Sequence, residues 1–223
     1  MAAIALTAAK KGGAGIRALL GPILVADVPV RYYAFAIFYM VTVKLAAAML
    51  HRAILGAWPA FETASVAVMP FAVALSTPFQ AGEEIGWRGY ALPRLAARMG
   101  LARASLLLGA IWALWHLPQF YIADGDSYHQ SFLVWAPQVV AVSVAMAWLY
   151  ARTGSLLLVM LLHAAINNTR DIVPAAVTPA PGVFSIQASS VSWLGLLVAW
   201  LIAAVLLVRM PHAIKEPSTP SSS

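Results

Sequence analysis

Cysteine is absent from this 223-residue chain, so disulfides and thiolate metal sites are both excluded. Charge is nearly as scarce. Only 10% of residues are charged and eight are acidic, against 62% that are apolar. A water-soluble domain of this size has no means of hiding that much apolar surface, which makes lipid the solvent. No internal repeat is evident. The Lys10-Lys11-Gly12-Gly13 region lacks the arrangement of a cleaved signal peptide.

What is abundant is apolar run length. A membrane-crossing helix needs about 20 mostly apolar residues. Six stretches come close, at roughly 32–51, 63–82, 104–122, 131–150, 155–170 and 190–209. The expected fold class is therefore all-α: a polytopic membrane helix bundle of about six spans, with a short interfacial helix over 14–28. The expected division is an N-terminal cytoplasmic or interfacial segment (1–30), a membrane domain (31–210) and a tail (211–223) whose Pro/Ser composition predicts disorder.

The net charge of +6 follows from orientation. With the N-terminus in the cytoplasm, eleven of the fourteen basic residues fall inside: Lys10, Lys11, Arg17, Arg31, Arg88, Arg94, Arg98, Arg103, Arg152, Arg209 and Lys215. Arg52 and Arg170 fall outside with Asp124, Asp126 and Asp171, and Lys44 lies within a span. This asymmetry predicts both termini in the cytoplasm. A nucleic-acid partner is then unnecessary to explain the charge. Lys44 is expected to snorkel to an interface. His51, His129 and His212 are expected in solvent, and Trp58, Trp135, Trp148, Trp193 and Trp200 in interfacial belts or packing.

Two of the eight acidic residues are adjacent, in Gly82-Glu83-Glu84-Ile85-Gly86-Trp87-Arg88-Gly89-Tyr90. An ionisable group near hydrocarbon is costly and is retained mainly where it has a task. Arg88 lies four residues after Glu84, so a helix places them on one face as a pair. Glu83 is turned by about 100° and has no local partner. The spacing thus predicts Glu84–Arg88 as structural and Glu83 as the working carboxylate. A solvated helix end is the bland alternative.

His116, in Trp112-Ala113-Leu114-Trp115-His116-Leu117-Pro118, adds a second signal. Gly100 marks a turn between antiparallel helices. Glu83 precedes it by 17 residues and His116 follows it by 16. At 1.5 Å per residue both sit about 25 Å from the turn, at one height. A histidine level with a carboxylate reads as half of a catalytic pair. His163 and Asn167, spaced i, i+4, form a third constellation. Alone, it would read as helix–helix hydrogen bonding; beside Glu83 and His116 it predicts a shared polar cavity. Asn168 points elsewhere and is not counted a member.

The three motifs together resemble the CAAX-protease and bacteriocin-processing family (CPBP or Abi), intramembrane proteases related to the Ras-converting CAAX endopeptidase. The family pattern is Glu-Glu-x-x-x-Arg, Phe-x-x-x-His and His-x-x-x-Asn/Asp. Here these are Glu83-Glu84 to Arg88, Trp112 to His116 with Trp in place of Phe, and His163 to Asn167. The likeness covers about residues 63–170. It implies a bacterial, multi-pass inner-membrane hydrolase acting on a peptide or membrane protein, such as a lipidated C-terminus or a bacteriocin leader. In that reading Glu83 and His116 polarise a water, and His163 and Asn167 bind the oxyanion. Glu84 and Arg88 hold the helix, and Trp112 forms an aromatic wall. Glu83, His116 and His163 could also ligate zinc, although no His-Glu-x-x-His pair is present. A metal-free, carboxylate-activated water is slightly favoured. A non-catalytic scaffold, a transporter-like protein and a pseudoprotease are the competing readings.

Overall fold

A computed structural model of the chain describes residues 2–61, 67–123, 125, 127–128, 130–169 and 180–215. Among these residues the structure is all-helical, as expected, with no strand. The helices are α1 (Ala2–Leu20), α2 (Val30–Leu55), α3 (Met69–Ser76), α4 (Ala81–Glu84), α5 (Leu92–Met99), α6 (Leu101–His116), α7 (Phe132–Thr153), α8 (Leu156–Thr169) and α9 (Ser190–Val208). The proline-rich stretch 173–182 falls mostly outside the described residues, as do Arg170, Asp124, Asp126, Asp171, His129 and the tail beyond 215.

Among the described residues four helical stretches are long and apolar enough to cross a bilayer: Val30–Leu55, Leu101–Tyr121, Phe132–Thr153 and Ser190–Val208. The two other expected spans come out differently. Helix α8 has 14 residues, about 21 Å at 1.5 Å per residue, short of the roughly 30 Å hydrocarbon core. The stretch expected over 63–82 is broken into α3, a 3₁₀ turn at Thr77–Gln80 and the short α4. Hydropathy registers apolar content and not continuity: Pro70 and Pro78 each open a new helical turn in this stretch. Such breaks survive at membrane depth only where protein surrounds the freed backbone. Here α3, α4 and the 3₁₀ turn pack on α8 along one side, and the Thr77 hydroxyl donates to the Val73 carbonyl at 2.7 Å.

The N-terminal helix also differs from its expected 14–28. It runs Ala2–Leu20 with a break at Gly12, whose φ of 57° is one that glycine adopts freely. A 3₁₀ turn at Gly21–Leu24 follows. Helix α1 lies against the turn that follows α4.

Helix α7 is the centre of the bundle, flanked by α6, α8 and α9. The Ser131 hydroxyl caps its start by accepting from the Val134 N–H. Gly154, in the left-handed conformation, ends it. Helix α6 approaches α7 at backbone range. A Cβ on Gly109 would stand 2.9 Å from Val140 Cα and 2.8 Å from Ser143 Cβ. The Ser143 hydroxyl donates to the Ser105 carbonyl at 3.0 Å, one turn from that glycine. Small residues that allow such approach are the usual means of helix association in lipid. Helix α2 buries a stripe at 36, 39–40, 43–44 and 47–48. Lys44 falls on that stripe, so it is buried and engaged with a partner instead of snorkelling.

Candidate active site

Three separate segments bring the polar groups together. The first is the end of α4 and the turn after it. Glu83 and Glu84 are the last residues of α4, and the chain then widens into a π-helix over Ile85–Ala91. Such i→i+5 turns are rare overall and frequent at functional sites. The second is the C-terminal half of α6, with Trp112 and His116. The third is the middle of α8, with His163.

The two carboxylates have different surroundings. Glu84 is fully buried. It accepts from Arg88 Nη1 through both oxygens, at 2.9 and 3.0 Å. It also accepts from His163 Nδ1 at 2.8 Å. Arg88 is equally buried, so this is an ion pair removed from water, stabilised by a third group. The expected Glu84–Arg88 pair is present; the histidine that completes it lies 79 residues on, in the His163/Asn167 motif. Glu83 is half-buried. Expected to lack a local partner, it accepts through Oε2 from the Trp112 indole N–H at 2.9 Å.

Trp112 touches nearly every member. The Arg88 guanidinium lies 4.4 Å from the centre of its ring. The His116 and His163 rings each stand edge-on to it, with centroids 5.3 Å away. His116 is further enclosed by Trp115 at 4.8 Å and Trp135 at 5.3 Å. The aromatic wall is therefore also a hydrogen-bond donor and a seat for a cation.

Glu83 bonds to Trp112, which lies four residues nearer the Gly100 turn than His116.

Both histidines have their tautomer set by an acceptor. His163 Nδ1 faces the Glu84 carboxylate, and His116 Nδ1 faces the Trp112 carbonyl at 2.8 Å. Each acceptor requires N–H at Nδ1, leaving Nε2 as the nitrogen free to take a proton. A neutral His163 is thus an acceptor at Nε2. It donates to an oxyanion only as the imidazolium, which Glu84 is placed to support.

Asn167 is exposed near the C-terminal end of α8, although it shares a helical face with buried His163. Its neighbour Asn168, not counted as a site member, donates through Nδ2 to Ser76 Oγ and to the Ala164 carbonyl, both at 2.8 Å. It fastens the end of α8 to α3. Among the described residues no group of three His, Asp or Glu side chains is arranged to hold a metal ion. The zinc set Glu83, His116 and His163 is not assembled here: the Trp112 ring lies against both imidazoles and its N–H binds the carboxylate.

A family model described as type II CAAX prenyl endopeptidase Rce1-like matches residues 62–169. All three motifs lie within that range. The chain is also similar to the CAAX prenyl protease 2 of Methanococcus maripaludis, 31% identical over 120 residues. Those residues are 51% of this chain and 43% of that protein, so the match spans less than half of the relative's length. The family likeness expected from the motifs holds.

Proposed function

We propose that this chain, Rce1-like over the residues that carry its polar core, is an intramembrane endopeptidase that hydrolyses a peptide bond with an activated water. One observation carries the reading. Glu83, the Glu84–Arg88–His163 group and His116 converge on one indole from three segments far apart in sequence, inside an otherwise apolar bundle. Helix gluing alone accounts for bonds such as Ser143–Ser105 and Asn168–Ser76. It does not account for a half-buried carboxylate beside two histidines with oriented rings.

In this reading Glu83 takes the proton of a water that His116 Nε2 also holds, and the water attacks the substrate carbonyl. His163, protonated and held by Glu84, donates from Nε2 to the oxyanion, joined by the Asn167 amide. Glu84 and Arg88 keep α4, the π-turn and α8 in register. The substrate is a peptide or membrane protein presented from the bilayer. The relative's name points to a prenylated C-terminal tail. The chain sits in the cell's inner membrane with both termini cytoplasmic, following its basic residues.

The test is cleavage of a quenched, farnesylated C-terminal peptide by the protein in liposomes. The wild type is expected to cleave it. Glu83→Gln is expected to lose activity by roughly 10²–10⁴-fold, the usual worth of a positioned base, with an unchanged detergent melting midpoint. A wild type that leaves the peptide intact overturns the prenylated-tail reading; a Glu83→Gln protein of full activity overturns the role of Glu83.

A further inference from the structure

We propose that Trp112 is a positioning residue for this chain's reaction: its indole N–H holds the Glu83 carboxylate in the attacking geometry, while its ring face keeps Arg88 on Glu84. The inference rests on the reading of Glu83 as the base, and goes beyond the aromatic-wall role that the family pattern assigns to this place. That pattern has Phe here, and Phe has no N–H.

The need for such a residue follows from the local chain. Glu83 and Glu84 are adjacent and carry identical side chains. Glu84 takes Arg88 and His163 and is fully buried. Glu83 stands at the last turn before the π-helix and is half-buried, so its side chain has several rotamers open to it. The Trp112 N–H binds Oε2 at 2.9 Å, which selects one rotamer and leaves Oε1 for a water. An indole donates and cannot accept, so it fixes the carboxylate without competing for the proton that the carboxylate must take. The opposite demand is met by the ring face. With the guanidinium 4.4 Å from the ring centre, the indole stands as a partner between Arg88 and Glu83. The cation pairs with Glu84 through Nη1 and lies over the ring, while its Nε and Nη2 are buried without a hydrogen-bond partner among the described residues. Trp112 is itself held in place: it is 4% exposed and stands one turn beyond Gly109, where α6 is pressed against α7.

The experiment replaces Trp112 by Phe and, separately, by benzothienylalanine, in which sulfur replaces the N–H and ring size is kept. Turnover of the farnesylated peptide is measured in liposomes, alongside the indole N–H resonances of the protein in detergent. The benzothienyl protein is expected to melt like the wild type, with kcat lower by about 10–100-fold, the worth of a hydrogen bond to a charged group, and KM within about twofold. A purely structural role would move melting and KM together. In the Glu83→Gln background the same replacement is expected to change the residual rate less than twofold, since the coupled partner is already gone. The Trp112 indole signal, identified by its loss in Trp112→Phe, is expected to move when Glu83 becomes Gln. Should Trp112→Phe fail to fold, the benzothienyl protein decides. Its retention of wild-type kcat, or an indole signal unmoved by Glu83→Gln, overturns the proposal. Full activity in Glu83→Gln overturns instead the reading of Glu83 as the base, while the indole signal still tests the bond.

Discussion

Helix α7 and the stretch from Met69 to Met99 pack in the same bundle and face the same solvent, yet their backbones differ. Helix α7 runs unbroken for 22 residues, even through Pro137, whose carbonyl accepts from the Trp200 indole. The stretch 69–99 changes helix type four times, from α to 3₁₀, back to α, to π and to α again. Helix α7 needs only to be apolar and close to its neighbours, so regular geometry serves it. The other stretch must hold two adjacent carboxylates in opposite roles, one sealed with a cation and a histidine, the other at the edge of a site. A uniform helix would set Glu83 and Glu84 about 100° apart and then continue without regard to α6 and α8. The 3₁₀ and π turns re-aim both ends of the tetrapeptide Ala81–Glu84. Irregular backbone is concentrated where the polar side chains converge, and the regular helices supply the walls that make it tolerable in lipid.

Three substitutions sharpen that contrast. The largest effect belongs to Arg88→Ala. Glu84 would then be buried with His163 as its remaining described partner, and breaking a buried pair costs about 3–5 kcal/mol. The detergent unfolding midpoint is expected to fall steeply. A protein that melts like the parent yet is inactive would move Arg88 out of the scaffold and into the reaction. Next is Gly109→Ala, on the regular side. The new Cβ collides with Val140 Cα, which is backbone and cannot rotate aside. Overpacking of this kind costs about 1–3 kcal/mol, and here it would also tilt α6 and so shift Trp112. Both stability and turnover are expected to drop; an unchanged midpoint would mean that α6 and α7 are less tightly joined than their contact at Gly109 requires. The smallest is Ser143→Ala, which removes the bond to the Ser105 carbonyl. Interhelical bonds in membranes average about 0.6 kcal/mol, so a slight loss of unfolding free energy with full activity is expected. A loss as large as that of Arg88→Ala would erase the distinction between the two regions.

Much of this organisation is legible in the residues themselves. Apolar run length and scarce charge specify a helical membrane bundle, because lipid admits only helices and closed barrels, and a barrel strand alternates apolar and polar residues instead of running apolar for about 20. The i, i+4 spacing specifies the Glu84–Arg88 pair, because a single helical turn brings such residues together whatever surrounds them. The isolated polar groups at 83, 116 and 163 mark the site, because their cost in hydrocarbon demands a reason. Tertiary structure alone decided who meets whom. That His163 completes the Glu84 pair, that Trp112 donates to Glu83, and that Asn168 fastens α8 to α3 all depend on the pitch of the π-turn and the rotation of three helices about their axes. A shift of one residue turns a side chain by about 100°. Sequence spacing constrains that angle within one helix and leaves it open between two, where close packing at places such as Gly109 sets it.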